Sequence, residues 1–185
     1  MTAAARVISI ERATEIAWVD WLSFMHGIGA HEMSHHAIAT QVLEKLEGQI
    51  ENPAWWAQSI TVAYEQDIGR RLPGQRPDGT FQTSVSKVTG QSMNSLIGTW
   101  TTFAESDDDV QRLIASEPRV SGTEKRITWR AKGANGAAIN VLCEPKKGDT
   151  SRLIVQVIGQ DTVDENEAAR VMWAGIVARF LASQI

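Results

Sequence analysis

A chain of 185 residues holds one large core or two small ones, and an apolar fraction of 43% belongs to a packed globular protein, which excludes wholesale disorder. The formal net charge is −4, with six Lys/Arg against ten Asp/Glu in residues 1–80 and twelve of each in residues 81–185, so neither half offers the basic surface of a typical nucleic-acid binder. Runs of about 18 uncharged apolar residues are missing, residues 1–5 lack the flank and apolar stretch of a secretory signal, and a lone cysteine, Cys143, rules out an intramolecular disulfide. A cytoplasmic protein with no membrane partner is expected.

The halves differ in kind. All four histidines (His26, His31, His35, His36) fall in the first, and every strand-like segment falls in the second. Three short helices are predicted in the first half. Thr14 is read as the N-cap of a helix with Trp18, Trp21, Leu22 and Met25 on one face, ended by Gly27 and Gly29. Ser34 caps the next, with Ile38, Ala39, Val42, Leu43 and Leu46 on its stripe and Gly48 as its stop. Asn52 and Pro53 open the third, which runs to about Asp67 and is apolar around much of its circumference.

Within this half, His31-Glu32-Met33-Ser34-His35 matches the H-E-x-x-H pattern of zinc proteases. That chemistry needs both histidines one turn apart on a single helix face, and a cap at Ser34 leaves His31 upstream of the helix. No metal is therefore expected. Residues 34–67 also suit a helix-turn-helix, in which Gln58, Ser59, Thr61 and Gln66 would face bases and Arg70, Arg71 and Arg76 the phosphates. The acids Glu44, Glu47, Glu51, Glu65 and Asp67 count against that, so DNA binding stands as a second reading.

Residues 69–79 are dense in proline and glycine and form the linker, dividing the chain into domains 1–70 and 71–185. Beyond it a first strand is predicted over 80–88 and a helix over 92–103, with Met93, Leu96, Ile97 and Trp100 on one stripe. A short second helix is capped by Ser106, its acids Asp107, Asp108 and Asp109 complementing the helix dipole. A strand fits 119–122, followed by a meander over 123–132, 137–146 and 152–160, with turns at 133–136 and Lys147-Gly148-Asp149. The last helix, 164–183, carries Ala169, Met172, Trp173, Ile176, Phe180 and Leu181 on the side that covers the sheet. Cys143 falls in the apolar alternation and reads as a small core residue. The fold class is α+β.

The run Trp55-Trp56-Ala57-Gln58-Ser59-Ile60-Thr61-Val62-Ala63-Tyr64-Glu65, continuing through residues 69–81 and Ser84-Val85-Ser86-Lys87, resembles an uncharacterised bacterial family that joins a trihelical segment to a START-like domain. The wider class is the polyketide-cyclase, Bet v 1 and Hsp90-activator-like superfamily (SRPBCC). The resemblance implies a helix-grip fold, in which a sheet grips the C-terminal helix around a hydrophobic ligand. It transfers no catalytic residue and no cofactor, and the strand count is low for a full domain of this kind. The expected role is a non-catalytic binding protein for a small hydrophobic molecule, with Trp100, Ile127, Trp129, Val141, Val155, Met172, Trp173, Ile176 and Phe180 as the candidate ligand-binding residues. A cyclase-like or hydrolase-like enzyme is the alternative within the superfamily, and homodimerisation through the Trp-rich helices is a further reading.

Overall fold

Four α-helices build the first part of the chain, where the sequence pattern predicts three. The computed structural model describes residues 3–148 and 150–184. The unforeseen helix is α1 (Ala3–Thr14), and Thr14 closes it instead of capping its successor. The Thr14 hydroxyl donates to the Ile10 carbonyl at 2.9 Å, one turn back, and accepts from Trp21 Nε1 at 3.2 Å. Helix α2 (Trp18–Gly27) starts from Ala17 with no side-chain cap of its own. Glu11 of α1 supplies the missing acceptor, taking the Trp18 amide at 2.8 Å.

A single 3-10 turn (Ala30–Glu32) leads into α3 (His35–Leu46), where Ser34 caps the Ala37 amide as its position predicts. Helix α4 (Pro53–Asp67) opens at Asn52, whose left-handed backbone sets the entry while its side chain makes no cap bond. Ile10, Trp21, Met25, Ile38, Val42 and Ile60 are fully buried together, so the stripes read from the sequence converge on one core.

The chain divides into two units between Pro73 and Gly74, inside the proline- and glycine-dense segment. In the second unit a five-stranded antiparallel sheet runs in the order β1-β5-β4-β3-β2, from β1 (Phe81–Thr89), β2 (Arg119–Thr123), β3 (Arg126–Lys132), β4 (Ala138–Pro145) and β5 (Ser151–Gln160). Helices α5 (Met93–Ser106) and α6 (Asp108–Leu113) connect β1 to β2, and α7 (Val163–Ala182) closes the chain. Mixed helix and sheet, with helices preceding the sheet and a long final helix, make this an α+β protein.

Period-2 alternation sends Trp129, Ile139, Val141, Cys143, Leu153, Val155 and Val157 to the face that meets α5 and α7. Residues 123–132, predicted as one strand, are split by a tight turn at Glu124-Lys125 that puts Thr123 on β2 opposite Arg126. The dipeptide carries none of the usual Asn-Gly or Asp-Gly signal, and so the hairpin is invisible to the pattern. Gly122 permits it: a Cβ there would lie 2.8 Å from the Ile127 Cα. Gly159, with φ of 94°, is the extra residue where the β1–β5 register slips between Phe81 and Gln82. The predicted turn at Lys147-Gly148-Asp149 includes Asp149, which lies outside the described residues.

The short helix α6 is capped by Asp107, one residue later than predicted; its carboxylate accepts the Asp109 and Val110 amides, both at 3.1 Å. Ser106 instead donates back to the Thr102 and Phe103 carbonyls at the end of α5. Helix α7 begins with a capping box in which Thr162 and Glu165 exchange side-chain and backbone bonds.

Candidate functional site

The space between the sheet and α7 is packed with aromatic side chains. Trp100 of α5 sits at its centre, edge-on to Phe180 at 5.2 Å and to Trp129 at 6.2 Å between ring centroids, and tilted against Trp173 at 6.5 Å. Of the nine residues picked from the sequence, Trp100, Trp129, Val141, Val155, Trp173, Ile176 and Phe180 are buried in this single cluster, and Ile127 packs against it half-buried. Met172 differs: at 100° per residue it sits about 85° from the centre of the α7 stripe, and it is 48% exposed. Val177 fills the inner face in its stead. Trp100 Nε1 finds no hydrogen-bond acceptor among the described residues. Cys143 lies in the same core, where burial pushes its thiol up to about 12, far from a thiolate nucleophile at neutral pH.

Concave surface opens at the rim of this core. A cleft of about 520 Å³ lies between α5, the segment after α6, and the β2–β3 edge. Ala104, Ile114, Val120 and Trp129 form its apolar wall; Gln111, Glu105 and Glu117 supply polar groups. Backbone and side-chain bonds hold its roof. The Ala115 amide donates to the Lys132 carbonyl at 2.7 Å, the Lys132 amide to Ser116 Oγ at 2.9 Å, and Gln111 Nε2 to the Ala104 carbonyl at 2.7 Å. Segment 114–118 is thereby stitched to the end of β3 like an added strap. A smaller cleft of about 270 Å³ takes in Met172 and Trp173 at the middle of α7, beside Asn135 and Gln160. Trp129, Met172 and Trp173 are thus the sequence candidates that reach a cleft wall in these two places, and the roof segment was not legible as a site because it has no periodicity.

Helices α6 and α7 are tied by charge. Arg179 contacts Asp107 at 3.0 Å and Asp109 at 2.7 Å. Burial pushes the Asp107 carboxyl up, but the Val110 and Asp109 amides and the Arg179 guanidinium outweigh it and leave Asp107 below the usual carboxylate range. The carboxylates read as a dipole-complementing first turn therefore serve as a cap and an interhelical clamp.

In the first unit the H-E-x-x-H residues part company. His31 lies exposed on the 3-10 turn, 3.6 Å from Glu32, while His35 begins α3. His35 Nδ1 is 2.9 Å from Glu65 Oε2, and its Nε2 is 2.8 Å from Gln58 Oε1. Glu65 is buried on α4 and also accepts from Arg71 Nη1 at 3.4 Å. The sequence pattern sets Glu65 among the acids that count against DNA binding; its partners come from residues 30 positions back and 6 ahead, and only the tertiary structure reveals them. The ring bridges α3 to α4, and Ser34, the neighbouring hydroxyl, is occupied as a cap.

The same contacts bear on the residues offered for base recognition. Thr61 is fully buried and bonded to the Ala57 carbonyl, which corrects its expected place on an exposed face. Gln58 is engaged by His35 and Gln66 by Arg6. Comparison with protein-family models, with curated proteins and with solved structures found no match. No helix among the described residues is long and apolar enough to cross a membrane.

Proposed function

We propose that the second unit is a binding module of the helix-grip, START-like kind, and that it takes a small, largely apolar molecule in the cleft walled by Trp129. The observation that carries this reading is the cleft itself. Small-molecule sites typically enclose about 300–1,000 Å³, with apolar walls and a few polar groups that orient the ligand. At about 520 Å³, with Trp129, Ile114 and Val120 among its apolar lining residues and Gln111 and Glu117 among its polar ones, this cleft fits that description. The order of strand, two helices, four strands and long helix supports the helix-grip assignment. Because aromatic rings fill the interval between sheet and α7, the reading places the ligand at the rim of the core and not inside it.

The test uses the indole N–H cross-peaks of the seven tryptophans, assigned by Trp→Phe variants and titrated with a library of small hydrophobic compounds. A ligand of the cleft moves the Trp129 resonance saturably and leaves Trp21 still; Val120→Glu weakens it tenfold or more. A library that shifts neither the melting temperature nor the Trp129 resonance would remove the proposal.

A further inference from the structure

The face of the sheet turned away from α5 and α7 carries an unexpected charge. Register places Arg119, Arg126, Arg130, Lys132 and Arg152 on it against one carboxylate, Glu144, in a chain of net charge −4. Glu144 is committed to Arg126, accepting from its Nε at 2.8 Å. Of the remaining cations, Arg119, Arg130 and Lys132 gather at the β2–β3 edge, and Arg152 stands apart on β5. Arg119 stands directly opposite Arg130 across the two strands, an arrangement that costs stability because like charges face each other. Lys132 follows two positions along on the same side, and neither it nor Arg119 has an ion-pair partner among the described residues.

Charged side chains on an edge strand also discourage strand-to-strand association, but one cation suffices for that. Here three share one open cleft of about 860 Å³ that includes Ser116, Glu117 and Ser121. Arg130 Nη1 donates to Ser121 Oγ at 2.6 Å, which fixes one end of its guanidinium and leaves other donors of the fork for a ligand. Planar guanidinium forks recognise phosphoryl oxygens in pairs, with lysine and hydroxyl groups completing the shell. Among the described strand residues this face has no aromatic side chain on which bases would stack, and this disfavours single-stranded nucleic acid.

We infer that Arg119, Arg130 and Lys132 form an anion site for the phosphoryl group of a small molecule. It rests on different side chains from the apolar proposal above, since Arg119, Arg130 and Lys132 lie on the opposite face of the sheet from Trp129, while the two clefts adjoin at Ser116, Glu117, Pro118 and Val120.

The full chain, ¹⁵N-labelled, is titrated with inorganic pyrophosphate at an ionic strength held constant with NaCl, and the arginine Nε–H and Ser121 amide cross-peaks are read. Saturable shifts confined to the β2–β3 edge are expected, with affinity reduced at least tenfold in Arg119→Gln and in Arg130→Gln and retained in Arg170→Gln on α7. Arg119 is exposed on the edge strand, so its variant carries the test if loss of the Arg130–Ser121 bond disturbs folding. Equal shifts from NaCl alone, equal loss in Arg170→Gln, or binding of a duplex oligonucleotide without binding of pyrophosphate would overturn the assignment.

Discussion

Glu65 is the residue whose environment departs furthest from its sequence neighbourhood. Its side chain is 7% exposed, yet its Oε2 keeps two polar partners, His35 Nδ1 and Arg71 Nη1. Replacing the carboxylate while keeping its shape, as in Glu65→Gln, leaves a buried donor mismatch and is expected to cost about 1–3 kcal/mol, read from the urea midpoint. Trp100 makes the reverse case. Its indole N–H has no acceptor among the described residues, so Trp100→Phe removes only ring volume and should cost less than about 2 kcal/mol, while Trp100→Ala opens a cavity worth about 3–5 kcal/mol. Equal losses for the two variants would show that the N–H has a partner in solution. Cys143, with its thiol pushed up by burial, should resist alkylation at pH 8 in the native protein and react at once in denaturant; rapid native labelling would contradict its placement in the core.

At the level of elements, α6 depends on Asp107 for both its start and its tether to α7. Asp107→Ala should cost about 1–2 kcal/mol through the lost cap, whereas Asp107→Asn keeps a capping oxygen and loses mainly the contact to Arg179. Arg179 is half exposed, so that contact adds little by itself. The folded value of Asp107 lies below its ordinary one, so its contribution is fully present above the usual carboxylate range and is lost as pH falls through the lowered value. Asp107→Asn should accordingly flatten the acid limb of the stability profile below about pH 4; an unchanged limb would assign that dependence to other carboxylates. Helix starts are legible where a capping hydroxyl precedes a stripe, as at Ser34, or a proline takes the first helical position, as at Pro53. Helix α1 escaped because Ile10 is the one fully buried apolar residue among its described side chains and Thr14 imitates a cap when seen without Trp21.

Across the whole molecule, two hydrophobic clusters share no residue, one around Trp21, Ile38 and Ile60 and the other around Trp100, Trp129 and Phe180. Each unit should then report its own destabilisation. With 5-fluorotryptophan incorporated, Glu65→Gln is expected to bring forward the loss of the native Trp21 signal in urea and leave Trp129 in place; joint movement of both would show that the units unfold as one. The proposed ligand cleft belongs to this scale too, because its walls come from α5, α6, the 114–118 segment, β2 and β3, successive elements that form a concave surface only once the helices pack on the sheet.

Residue order by itself determined the α+β class, the division near the proline-rich linker, the inner face of the sheet and most of the α7 stripe, since periodicity and capping are local properties that a few neighbouring residues specify. Tertiary structure alone decided which aromatic residues fill the core and which reach a cleft. It also decided that His35 belongs with Glu65 and not with His31, and that Arg119 faces Arg130. Those outcomes rest on strand register and helix packing, where groups 11 and 30 residues apart meet and their separation along the chain leaves no local trace.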